Sequence, residues 1–169
     1  MLFFNILSDL IAFFPHQNYT EYKSHDLQEN YIHMQQSQGK AISIYLMDGT
    51  SEGIWEAKLA NWNGVGYRIP RNEMKNCGDI ADLNKPGVYF LFGNEIETGR
   101  TFIYIGEADA VRPRIMQPHT FEEKSDSWTD AVIFVTTDDS LEKGRVKYLE
   151  NRFYTLAVDA GRYLVRNGN

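Results

Sequence analysis

Apolar residues recur at helical spacing over the first fourteen positions. Phe3, Ile6, Leu10 and Phe13 or Phe14 share one face, which predicts a short amphipathic helix. It would either cap the core or bind a partner or a second copy. Residues 15–39 are polar, Gln-rich and punctuated by Pro15 and Gly39, the pattern of a linker or loose helix. From residue 41 the period shortens. Residues 41–47 read as a strand, Asp48-Gly49 is a hairpin turn signal, and residues 53–60 run on with mixed alternation. Residues 61–64 turn again, and residues 65–69 form a third short strand ending at Pro70. Such a meander is marginal alone and is expected to pack on the C-terminal part of the chain. Residues 72–83 read as a short helix and connection.

Asn84-Lys85-Pro86 opens a new unit. Residues 87–92 and 101–106 are β-rich runs joined by a Gly-containing charged loop, hence an antiparallel hairpin. Residues 131–136 are almost continuously apolar, which predicts a central strand buried on both faces. Between them, residues 109–117 suggest a helix with Asp109 as N-cap, Val111 and Ile115 on one face, and Pro118 as stop. In the last helix Val146, Leu149, Phe153, Leu156, Ala157 and Ala160 make an apolar stripe. Asp138-Asp139-Ser140 offers an N-cap and Gly161 a stop. Glu150 falls about 40° from Val146 and about 60° from Phe153 on the helical wheel. A carboxylate at the edge of a core stripe needs an ion-pair partner or a bound cation.

The chain has 169 residues, enough for one domain, or one domain with a small accessory element. Its net charge of −6 argues against non-specific coating of nucleic acid, which runs on Lys and Arg. The charge is uneven. Residues 141–169 carry six basic and three acidic groups, whereas residues 41–140 carry nine and sixteen. The single cysteine, Cys77, forms no internal disulfide, and a cytoplasmic location fits best. Residues 1–14 match neither a signal peptide, lacking a basic n-region, nor a membrane span, being too short. No Cys/His cluster suggests zinc, and Gly64-Val-Gly66 is too small a fragment to suggest a nucleotide loop. Trp62, Arg68 and Arg71 are turn and surface residues or contacts for a ligand.

Gly87-Val88-Tyr89 and Tyr104-Ile105-Gly106 resemble the two halves of the GIY-YIG nuclease signature. Arg114 stands on the next predicted helix, where that family carries its arginine. Glu150 stands on a later helix, after a third strand, where the family carries its metal-binding glutamate. The resemblance covers about residues 84–160. The stretch before it is similar to the N-terminal hairpin of a bacterial subfamily. The tail from Ala160 resembles the point where that subfamily continues into a further domain, implying a truncated form with a missing C-terminal domain or partner protein. Glu107 departs from the pattern, since many members carry Lys or another basic group there.

The resemblance implies an α+β fold, a three-stranded antiparallel sheet flanked by helices, with an N-terminal β-hairpin or meander module. The corresponding divisions are 1–39 (helix and linker), 40–83 (meander) and 84–169 (nuclease-like domain). It implies metal-dependent hydrolysis of DNA phosphodiesters. Glu150 would bind Mg²⁺ or Mn²⁺, which needs only one or two protein carboxylates. Arg114 would offer a planar fork to phosphate oxygens. Tyr89 is the first choice for general base and Tyr104 for positioning, and His119 would shuttle a proton. Gly106, Arg112, Lys147 and Asn151 would line the substrate path. The alternative is a weakly active or inactive module of the same kind that binds DNA or a protein partner. Residues 1–14 would serve a homodimer.

Overall fold

The computed structural model describes residues 41–117, 128–138 and 140–167. The chain divides into two units, Met1–Ala41 and Ile42–Asn169, and every described element belongs to the second. The helix expected over residues 1–14, the linker over 15–39 and His119 lie outside the described residues.

Seven strands form one sheet: β1 (Ile42–Leu46), β2 (Trp55–Leu59), β3 (Gly64–Pro70), β4 (Gly87–Asn94), β5 (Thr101–Ala108), β6 (Trp128–Thr136) and β7 (Leu164–Val165). Their order is β1-β2-β3-β6-β4-β5-β7. All neighbours are antiparallel except β5 and β7. Two α-helices are described, α1 (Val111–Ile115) and α2 (Lys143–Ala160). Three single-turn 3-10 helices lie between Arg71 and Asn84.

Strand alternation assigns the apolar residues to two faces. On one face Tyr67, Ile69, Tyr89, Leu91 and Ile133 meet Val111 and Ile115 of α1, with Met74, Cys77 and Leu83 from the 3-10 segment. The other face carries Phe90 and Phe134, whose rings lie 5.9 Å apart, and Phe153 of α2 packs 5.3 Å from Phe90. Val146, Leu149 and Phe153 are the buried residues of α2, each worth about 1.5–3 kcal/mol in removed apolar surface. Continuous apolarity from Ala131 to Val135 suits β6, which is flanked by strands on both sides and covered on both faces.

The expected three-stranded sheet flanked by helices, with a separate meander in front, is not what forms. Among the described residues the sheet has seven strands, is mixed, and carries two α-helices. The reason lies at the free edge of β6. β3 pairs with it over seven rungs, from Gly64↔Thr136 to Pro70↔Asp130, and buries Val65, Tyr67 and Ile69 in doing so. The meander therefore extends the sheet instead of packing on it. At the other edge the two residues of β7 add a parallel strand too short to announce itself by periodicity.

Local punctuation predicts one end of α2 and misses the other. Gly161 closes the helix at φ +60°, and its N–H reaches Ala157 O and Val158 O, the left-handed stop that glycine favours. At the start, Glu142 precedes the helix without a side-chain cap. Asp138 instead accepts hydrogen bonds from Asn63 Nδ2 (3.0 Å) and from Ser140, tying the end of β6 to the β2–β3 turn. Asp109 does not cap α1, since the N-cap is Ala110. It pairs with Lys143 Nζ at 3.1 Å. Residues 72–83, expected as a short helix and connection, form 3-10 turns and the links between them.

Candidate active site

Tyr89 and Gly106 are cross-strand partners in the β4–β5 ladder. The phenol of Tyr89 lies over the glycine, and a Cβ at Gly106 would stand 2.5 Å from its Oη and closer to its Cζ. Only a residue without a side chain leaves that space. The Tyr104 ring lies 6.1 Å from the Tyr89 ring at an angle of 34°. Both Tyr104 and Arg114 hydrogen-bond the Tyr89 side chain. The guanidinium donates to the phenol oxygen, since it has no acceptor. Arg114 also donates to Gln117 one helical turn on. Two tyrosines, the glycine and the arginine thus converge at one end of the sheet. Tyr89 is 1% exposed, whereas Tyr104 and Arg114 are part-exposed.

Burial pushes the Tyr89 phenol well above its ordinary range, and Tyr104 adds to this. Arg114 opposes both without overcoming them. At neutral pH Tyr89 therefore keeps its proton and acts as a fixed hydrogen-bonding post.

Glu150 belongs to a second cluster. Burial raises its carboxyl above the ordinary value, the neighbouring Glu107 raises it further, and Lys147 opposes. Glu107 follows the parity of Ile103 and Ile105 on β5, hence the face covered by α2, and Tyr89 and Gly106 belong to the other. The tyrosine–arginine cluster and the carboxylate cluster thus sit on opposite faces of one ladder, on adjacent rungs, Tyr89↔Gly106 and Val88↔Glu107. β7 pairs only with Phe102 and Ile103, and the Asn167 side chain takes the place of a strand at Ile105, accepting from its N–H (2.9 Å) and donating to its C=O (2.7 Å). Beyond that point, among the described residues, no strand pairs with the edge of β5 that faces away from β4.

The other expected site residues are placed as follows. Lys147 acts electrostatically on Glu150. Asn151 is exposed on α2, and its backbone oxygen accepts from Thr155. Arg112 points away from the tyrosines. Its Nη2 donates to Lys75 O at 3.2 Å and its guanidinium hydrogen-bonds the Cys77 thiol, bracing α1 against the 3-10 segment. Sequence reasoning misses Asn167 as an edge partner, because an amide that imitates a strand leaves no periodic trace.

Among the described residues no three His, Cys, Asp or Glu side chains gather into one group. Glu107 and Glu150 still fit a hard divalent cation that keeps most of its waters. Their mutual repulsion is what such a cation would relieve. No described helix is long and apolar enough to cross a membrane. No family model, curated protein or solved structure matches the chain.

Proposed function

We propose that this chain is a metal-dependent endonuclease that hydrolyses DNA phosphodiesters, with a site of the GIY-YIG type. The observation that supports it is the convergence of Tyr89, Tyr104 and Arg114 around Gly106. A guanidinium held by a buried neutral phenol is a preorganised donor for the charge that grows on a phosphate oxygen. Arg114 binds the scissile phosphate at the open edge of β5. Tyr89 keeps Arg114 and Tyr104 in register. Tyr104, the more accessible phenol, orients the attacking water. The water oxygen bonds to phosphorus as the bond to the leaving sugar oxygen breaks, the water proton leaves through the Tyr104 hydroxyl to solvent, and the leaving oxygen takes a proton from solvent. Mg²⁺ or Mn²⁺, when held by Glu150 with Glu107, would supply charge neutralisation at the phosphate.

The test is nicking of supercoiled plasmid by the purified chain with Mg²⁺, Mn²⁺ or EDTA. Metal-dependent nicking should fall about 10²–10³-fold in Arg114→Ala, the loss typical of one preorganised donor. It should disappear in Glu150→Gln. Undiminished nicking by a folded Glu150→Gln protein would sink the assignment. The repulsion between Glu107 and Glu150 favours a second reading, a module that binds DNA without cutting it. That reading predicts no turnover under any metal, with binding that weakens in Arg114→Ala.

A further inference from the structure

Lys143 is the first residue of α2, and no residue of that first turn is acidic. The unpaired N–H groups of a helix start favour anions, so a lysine in this place runs against the helix dipole. Its compensation comes from elsewhere in the chain. Lys143 Nζ donates to Asp109 Oδ2 at 3.1 Å, across 34 positions of sequence. Asp109 directly follows β5 and stands two residues beyond Glu107. A local rule broken and mended by a tertiary contact is the mark of a residue placed for function.

The contact joins Lys143 to the carboxylate cluster. Lys143, Lys147 and Glu150 stand at i, i+4 and i+7, on one ridge of α2. Glu107 acts on both ends of that ridge. It adds to the effect of Asp109 in raising the Lys143 ammonium, and it adds to burial in raising the Glu150 carboxyl. The ammonium and the Glu150 carboxyl thus share one carboxylate neighbour. The Lys143 and Asp109 side chains are 74% and 65% exposed, so their pair forms in water and opens readily. Lysine suits such a part, being a compact charge on a flexible stem.

We infer that Lys143 is the resident counter-cation of the carboxylate site, and that a divalent cation held by Glu107 and Glu150 competes with it. The inference rests on the metal-dependent reading for the identity of the competitor. Without metal, the ammonium relieves part of the repulsion among Glu107, Asp109 and Glu150. With metal, the two positive charges repel each other and the exposed pair with Asp109 loosens. Lys143 thereby raises the metal concentration at which the site fills.

The experiment counts free Mn²⁺ by electron paramagnetic resonance as the full chain is titrated without DNA, in low salt. It compares wild type with Lys143→Gln, Lys143→Arg, Arg152→Gln and Glu150→Gln. Lys143→Gln should bind Mn²⁺ about four- to tenfold more tightly, the relief of a unit charge and a double charge about 6–10 Å apart at the dielectric constant of water. The gain should shrink as salt is raised. Lys143→Arg keeps the charge and should stay near wild type. Arg152 is exposed on the opposite side of α2 from Lys143, two and a half turns on. Arg152→Gln removes the same charge and should change affinity far less. Unchanged or weaker binding by a folded Lys143→Gln protein would overturn the inference, weaker binding meaning that the pair with Asp109 only positions α2. An equal gain in Arg152→Gln would overturn it too, since net charge would then account for the effect. Glu150→Gln should lose Mn²⁺ binding. A wild-type chain that binds no Mn²⁺ overturns both the inference and the metal-dependent reading. Plasmid nicking is scored separately. Competition by Lys143 in a chain that never nicks overturns the nuclease reading and leaves the counter-cation standing. Metal-dependent nicking with wild-type Mn²⁺ affinity in Lys143→Gln does the reverse.

Discussion

Gly106→Ala tests the site at its tightest point, because the sign of its effect is informative. In a strand with room, replacing glycine by alanine stabilises by about 0.5–1 kcal/mol, since glycine loses more chain entropy on folding. At Gly106 the added Cβ would stand 2.5 Å from Tyr89 Oη and within 2.9 Å of Cε1, against ordinary contacts of about 3.5–4.0 Å between carbon atoms. The phenol must therefore move by about 1 Å. Tyr89 is 1% exposed, so it has no free space to move into. Overpacking of this kind costs about 1–3 kcal/mol. Thermal unfolding should show Tm lower by several degrees, at about 2–8 °C per kcal/mol for domains bracketing this size. The displaced phenol also loses its hydrogen bonds to Arg114 and Tyr104, so nicking should fall with stability. In a double-mutant cycle, Tyr89→Leu should remove part of the Gly106→Ala penalty, a coupling of about 0.5–3 kcal/mol. A Gly106→Ala protein as stable as wild type or more so, with no coupling to Tyr89, would refute the placement of the phenol over the glycine.

Three further outcomes are expected from the described geometry. Gly144 lies in the first turn of α2 with nothing within 4 Å of a Cβ built on it, so Gly144→Ala should stabilise by up to about 1 kcal/mol, read as a raised urea midpoint. Asp138 has its carboxyl lowered to about 2, chiefly by the Ser140 side chain and then by Asn63. A depressed folded value means its stabilisation is full above the ordinary aspartate range and lost as pH falls through about 2. The Tm gap between wild type and Asp138→Asn should therefore be widest above pH 5 and close as the pH approaches that value, and a gap that widens in acid would contradict the network. Asn167→Ala removes two hydrogen bonds at Ile105, a loss of about 1–3 kcal/mol at about 0.5–1.5 each, and hydrogen exchange at the Ile105 amide should quicken measurably.

Much of the site is legible in the linear chain. Gly106 and Tyr89 stand in two short motifs on strands whose apolar alternation is plain, and strand pairing then puts them opposite each other. Arg114 is legible as a helical residue soon after the second strand. What the linear pattern hides is depth and side. The same period-2 rule that puts Tyr89 over Gly106 sends Glu107 to the opposite face, where α2 brings Glu150 beside it. A helical wheel locates Glu150 at the edge of an apolar stripe but carries no information about which face of the sheet that stripe will cover. Arg112 and Arg114 illustrate the same limit. They are two residues apart on one short helix, yet one braces a backbone carbonyl and the other meets the tyrosines.

The fold divides in the same way. Local chemistry determined the β4–β5 hairpin, the burial of β6, the long helix α2 and its stop at Gly161, because turn residues, β-branched runs and helical periodicity act over a few neighbours. Tertiary structure alone decided that β3 joins β6, that β7 joins β5 in parallel, and that Asp138 reaches Asn63 across 75 positions of chain. An unpaired strand edge presents N–H and C=O groups that any compatible strand satisfies equally well. Which strand does so depends on which arrangement buries the most apolar surface at once, a quantity set by the whole chain and carried by no single segment of it.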